Sequence, residues 1–150
     1  EGRAGFRFKN KAWHASMYWE QQSSNFKLVL YDLFGRKIAE VVGNPNQAIL
    51  RTKEGDEYSA SDSQVLLRKY FGFSFPVNGM RYWLMGVHSP DSKVSQLSFN
   101  KAGLPHILVQ DGWKISYMGY DVYQRIKLPS HIQFNKENLE LKIAVKNWNL

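Results

Sequence analysis

Four histidines, thirteen dispersed carboxylates and no cysteine are the side chains from which this 150-residue sequence could build catalysis or hold a metal. His14, His88, His106 and His131 fall in different segments, none with a second ligand at helical or hairpin spacing, so neither a zinc site nor a histidine acid–base pair is expected. No Gly-x-Ser-x-Gly, His-Glu-x-x-His or phosphate-loop pattern occurs. The lack of cysteine removes disulfides, thiolate ligands and thiol nucleophiles together. The expectation is a protein that is not an enzyme and uses no cofactor or metal, so that any work it does runs on binding free energy.

The stretch with contact chemistry is the hairpin from Lys27 to Val42. Phe26 to Tyr31 and Arg36 to Val42 have strand composition. Between them, Asp32-Leu33-Phe34-Gly35 has Asp first and Gly fourth, the preferences of a type I turn. Its two corner residues point outward and are normally polar; here they are Leu33 and Phe34. Leaving such a side chain in water forgoes about 1.5–3 kcal/mol, so the tip needs a destination. It folds back onto its own domain, or is one of the scattered exposed apolar residues that every surface has, or enters a membrane or a partner's apolar groove.

Elements able to position such a tip follow from composition. At 43% hydrophobic and 15% aromatic residues, the chain suits one domain of mainly β structure. The net charge of +7 favours anionic surfaces, yet the basic residues are spread without a run, so no nucleic-acid stripe is evident. No apolar stretch reaches the roughly 20 residues needed to span a bilayer. Beginning on Glu1, the sequence reads as a processed or truncated form.

Period-two alternation marks strands from Phe6, through Trp13 to Trp19, and on to Ser59. The pattern then changes. Ser61-Asp62-Ser63-Gln64 fits a capping box with Ser61 as the cap, opening a helix that ends at Gly72 with Leu66, Leu67, Tyr70 and Phe71 on one face. A second helix is expected over Val77 to Met85, with Met80, Trp83, Leu84 and Val87 at i, i+3, i+4 and i+7. Strands return from Val94, interrupted by a long connection from Val122 to His131 that holds Pro129. About ten strands around two short helices suit a strongly curved sheet with a helical plug or lid.

Several pieces, in order, carry a resemblance: Trp19-Glu20-Gln21-Gln22, Leu28 through Gly35, Tyr58-Ser59-Ala60-Ser61-Asp62, Met80 through Gly86, Gly112 through Tyr117, and Leu141-Lys142-Ile143 ending in Asn147-Trp148. Together they resemble the LolB family of outer-membrane lipoprotein receptors of Gram-negative bacteria. The resemblance implies an open, incomplete antiparallel β-barrel capped by helices around a hydrophobic cavity. It implies cargo, an acylated lipoprotein handed over by the periplasmic carrier LolA and released into the inner leaflet of the outer membrane. It also implies a membrane-delivery loop, here Leu33 and Phe34. Relatives often carry Asn-Pro-Leu-Gly at that tip, and a lipidated N-terminal Cys that this chain lacks. The expected form is a monomer at the periplasmic face of the outer membrane, anchored by lipid on residues outside this sequence, the sequence itself being soluble.

Acyl chains need walls of aromatic and adaptable aliphatic groups. The candidates for cavity and lid are Met17, Trp19, Leu28, Leu30, Leu66, Tyr70, Met80, Trp83, Leu84, Trp113, Ile115 and Tyr117. The same residues could instead fill a closed core. A LolA-type soluble carrier and a basic β-barrel that binds nucleic acid through aromatics and lysines are the alternative functions.

Overall fold

Alternating apolar and polar residues broken by short turns become strands in the computed structural model, which describes residues 1–150. In chain order these are β1 (Gly2–Phe8), β2 (Lys11–Gln22), β3 (Asn25–Tyr31), β4 (Lys37–Asn44), β5 (Gln47–Thr52) and β6 (Glu57–Ala60). Two helices follow, α1 (Ser63–Phe71) and α2 (Val77–Trp83). The remaining strands are β7 (Val94–Phe99), β8 (Pro105–Gln110), β9 (Trp113–Tyr123), β10 (Ile126–Lys136) and β11 (Leu139–Val145). All eleven belong to one sheet in the order β6-β5-β4-β3-β2-β1-β11-β10-β9-β8-β7. Its end strands do not pair with each other, which is the connectivity of an open, incomplete barrel. The chain falls into two compact units, residues 1–3 with 14–77, and residues 4–13 with 78–150.

In the first unit the strand pleat sorts side chains onto two unlike faces. Trp19, Leu28, Val41, Leu50 and Tyr58 lie opposite one another on successive strands, and Met17, Leu30, Ala39 and Thr52 form the adjacent row. Phe26 lies flat over Gly43, where a Cβ would come 2.6 Å from its ring, and Trp19 stacks on Phe26 at 5.7 Å. Glycine within β4 therefore marks a close approach. The other face carries ions: Glu40 meets Lys27, Lys37 and Arg51 within 4 Å, and Arg51 also meets Glu57 at 2.8 Å.

Helix α1 packs against β5 and β6 through buried Leu66 and Leu67. Its N-cap is Asp62, whose side chain accepts from the Gln64 N–H at 2.8 Å. The expected cap, Ser61, lies one residue too early. Both residue types can cap, and the bond to Asp62 starts the helix at Ser63. Gly72 ends it with φ 82 and an N–H bonded to the Arg68 carbonyl, as a left-handed C-cap does.

The second unit repeats the row arrangement. Leu97, Leu108, Ile115, Phe134 and Leu141 run across five strands, with Tyr117, Ile132 and Ile143 beside them. Helix α2 lies against this unit's sheet, but it is shorter than its apolar spacing suggests. A turn through Leu84 and Met85 with Gly86 at φ 77 ends it, and Val87 lies 52% exposed, off the buried face of Met80, Trp83 and Leu84.

The expected connection from Val122 to His131 is instead a tight hairpin between β9 and β10, closed by Gln124 and Arg125 at φ 47 and 70. Such a turn ordinarily uses Asn-Gly, which Gln124-Arg125 does not resemble. Pro129 fits because it lies at a register irregularity beyond the end of the β10–β11 ladder, which begins at His131.

Candidate functional site

The tip of the β3–β4 hairpin is built by one carboxylate. Asp32 Oδ1 accepts from the backbone N–H groups of Phe34 and Arg36, both at 2.9 Å, and Oδ2 accepts from Arg36 Nε at 2.7 Å. The Asp32 carbonyl accepts from the Gly35 N–H at 3.1 Å, and its own N–H donates to the Arg36 carbonyl at 2.9 Å. Gly35 supplies the positive φ of 78 that turns the chain back into β4. The N–H groups on Asp32, foremost that of Arg36, together with the Arg36 side chain, hold its carboxyl below the ordinary carboxylate range.

A turn fixed this firmly has no freedom to fold its corners inward. Leu33 and Phe34 are each 83% exposed, more than any other large apolar residue of the chain. The Arg36 guanidinium carbon stands 5.3 Å from the Phe34 ring centroid, on an exposed side chain. Neither Asp32 nor Arg36 was among the expected site residues. The i, i+4 spacing of an Asp and an Arg across a turn was the available signal.

The residues expected to wall a cavity separate by element. Met17 and Trp19 are half-buried on β2, directly opposite buried Leu30 and Leu28 on β3, so these four form one patch. On α1, Leu66 is buried while Tyr70 is 37% exposed, its ring edge-on to Phe71 at 4.8 Å. Met80, Trp83, Leu84, Trp113, Ile115 and Tyr117 are all buried in the second unit.

Within that group, α2 is pinned rather than free to shift. Trp83 Nε1 donates to Gln110 Oε1 at 2.8 Å, and the Tyr117 hydroxyl donates to the Trp83 carbonyl at 2.8 Å. Burial raises the Tyr117 phenol above its ordinary pKa, which keeps it a neutral donor. Gln110 Oε1 also accepts from the Ser89 N–H, and its Nε2 donates to the Ser89 and Ser92 carbonyls. Every hydrogen-bonding capacity of that amide is used. Moving α2 would leave these buried polar groups unpaired.

No three His, Asp or Glu side chains come together as a metal site would need, and no helix is long and apolar enough to cross a membrane. What the geometry defines is an open-sheet protein that carries two exposed apolar side chains on a hydrogen-bonded turn. The sequence profile of the family described as "Outer membrane lipoprotein LolB" matches residues 1–148. Proteins named outer-membrane lipoprotein LolB are similar over 99% of this chain. The one from Nitrosococcus oceani is 31% identical, with 74% of its own length covered; that from Francisella tularensis subsp. tularensis is 32% identical, with 72% covered; that from Alkalilimnicola ehrlichii is 29% identical, with 74% covered. The chain belongs to the LolB family. Membership places it at the outer membrane as a receptor in lipoprotein localisation, outside the enzymes.

Proposed function

We propose that this chain accepts acylated lipoproteins from the periplasmic carrier LolA and inserts them into the inner leaflet of the outer membrane, with Leu33 and Phe34 as the delivery loop. The observation that supports this most is the pair of side chains at 83% exposure on a turn locked by Asp32. Burying both in a bilayer regains about 3–6 kcal/mol, enough for a weak, reversible contact. Acyl chains, worth about 0.8 kcal/mol per CH₂ removed from water, find apolar partners in the sheet faces of the two units. The patch of Met17, Trp19, Leu28 and Leu30 suits this role through its half-buried Met and Trp, which retain room to adapt.

The test is transfer of an acylated lipoprotein from LolA, through this protein, into liposomes. Phe34→Glu is expected to keep the fold and accept cargo while losing insertion into the vesicles. Undiminished insertion by that variant refutes the delivery role. Failure of the wild-type protein to take up any acylated peptide refutes the receptor reading.

A further inference from the structure

We infer that Arg36 is a second membrane-contact residue, a phosphate fork that makes docking of the tip selective for bilayers with anionic headgroups; this rests on the reading of Leu33 and Phe34 as the loop that enters the leaflet.

The Arg36 side chain is 75% exposed, yet it is held in place. Its Nε edge is committed to Asp32 Oδ2 at 2.7 Å, while its Nη groups have no partner in the chain. The Phe34 ring lies 5.3 Å from the guanidinium carbon and fixes where the cation stands. A guanidinium immobilised by one edge presents the other as a ready pair of donors, and two parallel donors match phosphate oxygens. The separation is about the size of one ring, so a Phe34 inserted below the headgroups leaves Arg36 at headgroup depth.

The other charges nearby do not supply this function. Lys37 pairs with Glu40 at 3.7 Å, and Lys27 pairs with the same carboxylate at 3.6 Å. Asp32 has both oxygens engaged by the turn itself. The occupant is a lipid surface rather than free phosphate, because a soluble anion would leave Leu33 and Phe34 in water.

The experiment is flotation of the full chain with vesicles of phosphatidylcholine alone or mixed with phosphatidylglycerol. Arg36→Gln is compared with Lys101→Gln, which removes one exposed charge from the β7–β8 turn, and with Phe34→Glu. Arg36→Gln is expected to weaken binding to the anionic vesicles about fivefold, the worth of one cation at an anionic surface, and to weaken binding to the neutral vesicles clearly less, because the choline cation compensates the charge of the phosphate there. Arg36→Lys keeps the charge, drops the fork, and is expected to fall between the two. The Lys101→Gln loss should be clearly smaller. Equal losses for Arg36→Gln and Lys101→Gln would assign any preference to net charge and overturn the inference, as would an unchanged Arg36→Gln. Competition by inorganic phosphate beyond that of chloride at equal ionic strength would overturn the assignment to lipid. Failure of the underlying reading is distinct: Phe34→Glu would then bind both kinds of vesicle as the wild type does.

Discussion

Replacing Gln110 by Ala tests whether α2 and the loop that follows it are fixed by one side chain. The amide accepts from Trp83 Nε1 at 2.8 Å and the Ser89 N–H at 2.9 Å, and donates to the Ser89 and Ser92 carbonyls, both at 2.8 Å. Trp83 and Ser89 are buried, so the substitution orphans two donors with no direct path to solvent; the Ser89 carbonyl keeps His88 Nδ1 at 3.3 Å, and Ser92 is half-exposed and finds water. At about 1–3 kcal/mol for each of these two buried groups, with partial relief as the site relaxes, the loss is about 2–4 kcal/mol. A domain stable by about 5–15 kcal/mol survives this, with Tm lower by roughly 4–16 °C. Urea denaturation followed by tryptophan fluorescence reads the effect as a lower midpoint at unchanged slope. A loss below about 1 kcal/mol would show that the Ser89–Ser92 segment and α2 are held by something other than this amide.

Two further outcomes follow from local geometry. Exchanging Gln124 for Asn and Arg125 for Gly relieves two non-glycine residues at positive φ in the β9–β10 turn, and thermal denaturation should show a gain of about 1–2 kcal/mol. Glu40 is subject to burial, which raises its pKa, but Lys37, Lys27 and the bond from Arg51 outweigh it and hold the carboxyl below its ordinary value of 4.5. A depressed carboxylate stabilises the fold above that value and loses the contribution as pH falls through the folded one, so Glu40→Gln should flatten this part of the acid limb of the stability curve while costing about 1 kcal/mol or less at neutral pH.

Legibility in the sequence followed the range of the interactions. The tip could be read because Asp32 and Gly35 are turn residues only three positions apart, and because Leu33 and Phe34 contradict what a turn usually exposes. The Asp32–Arg36 clasp is nearly as local, but it depends on a side-chain bond across the turn that composition does not report. The β9–β10 hairpin was hidden because Gln124 and Arg125 are ordinary residues forced into left-handed backbone, and because Pro129 argues for a break. Adjacent eligible residues, Ser61 and Asp62, made the α1 cap ambiguous by one position. Least visible was Gln110, which reads as the edge of a turn; its partners Trp83 and Ser89 lie 27 and 21 residues away, and only the assembled strands bring them together. Apolar residues were easier to place as buried than to assign to a common surface, as Val87 shows.

The position of β1, between β2 and β11, has a consequence for biosynthesis. Export to the outer membrane delivers β1 well before β11, so one flank of β1 stays open until residues 139–145 have crossed the inner membrane. Every partly exported chain thus carries a bare strand edge at what will become the middle of the finished sheet, and such edges recruit foreign strands. Closing it requires the longest chain-separated contact in the molecule, the kind that slows folding. A circular permutant that joins residues 1 and 150 and opens at the Asn100–Gly103 turn would place the two partners near each other in sequence and shorten that vulnerable interval.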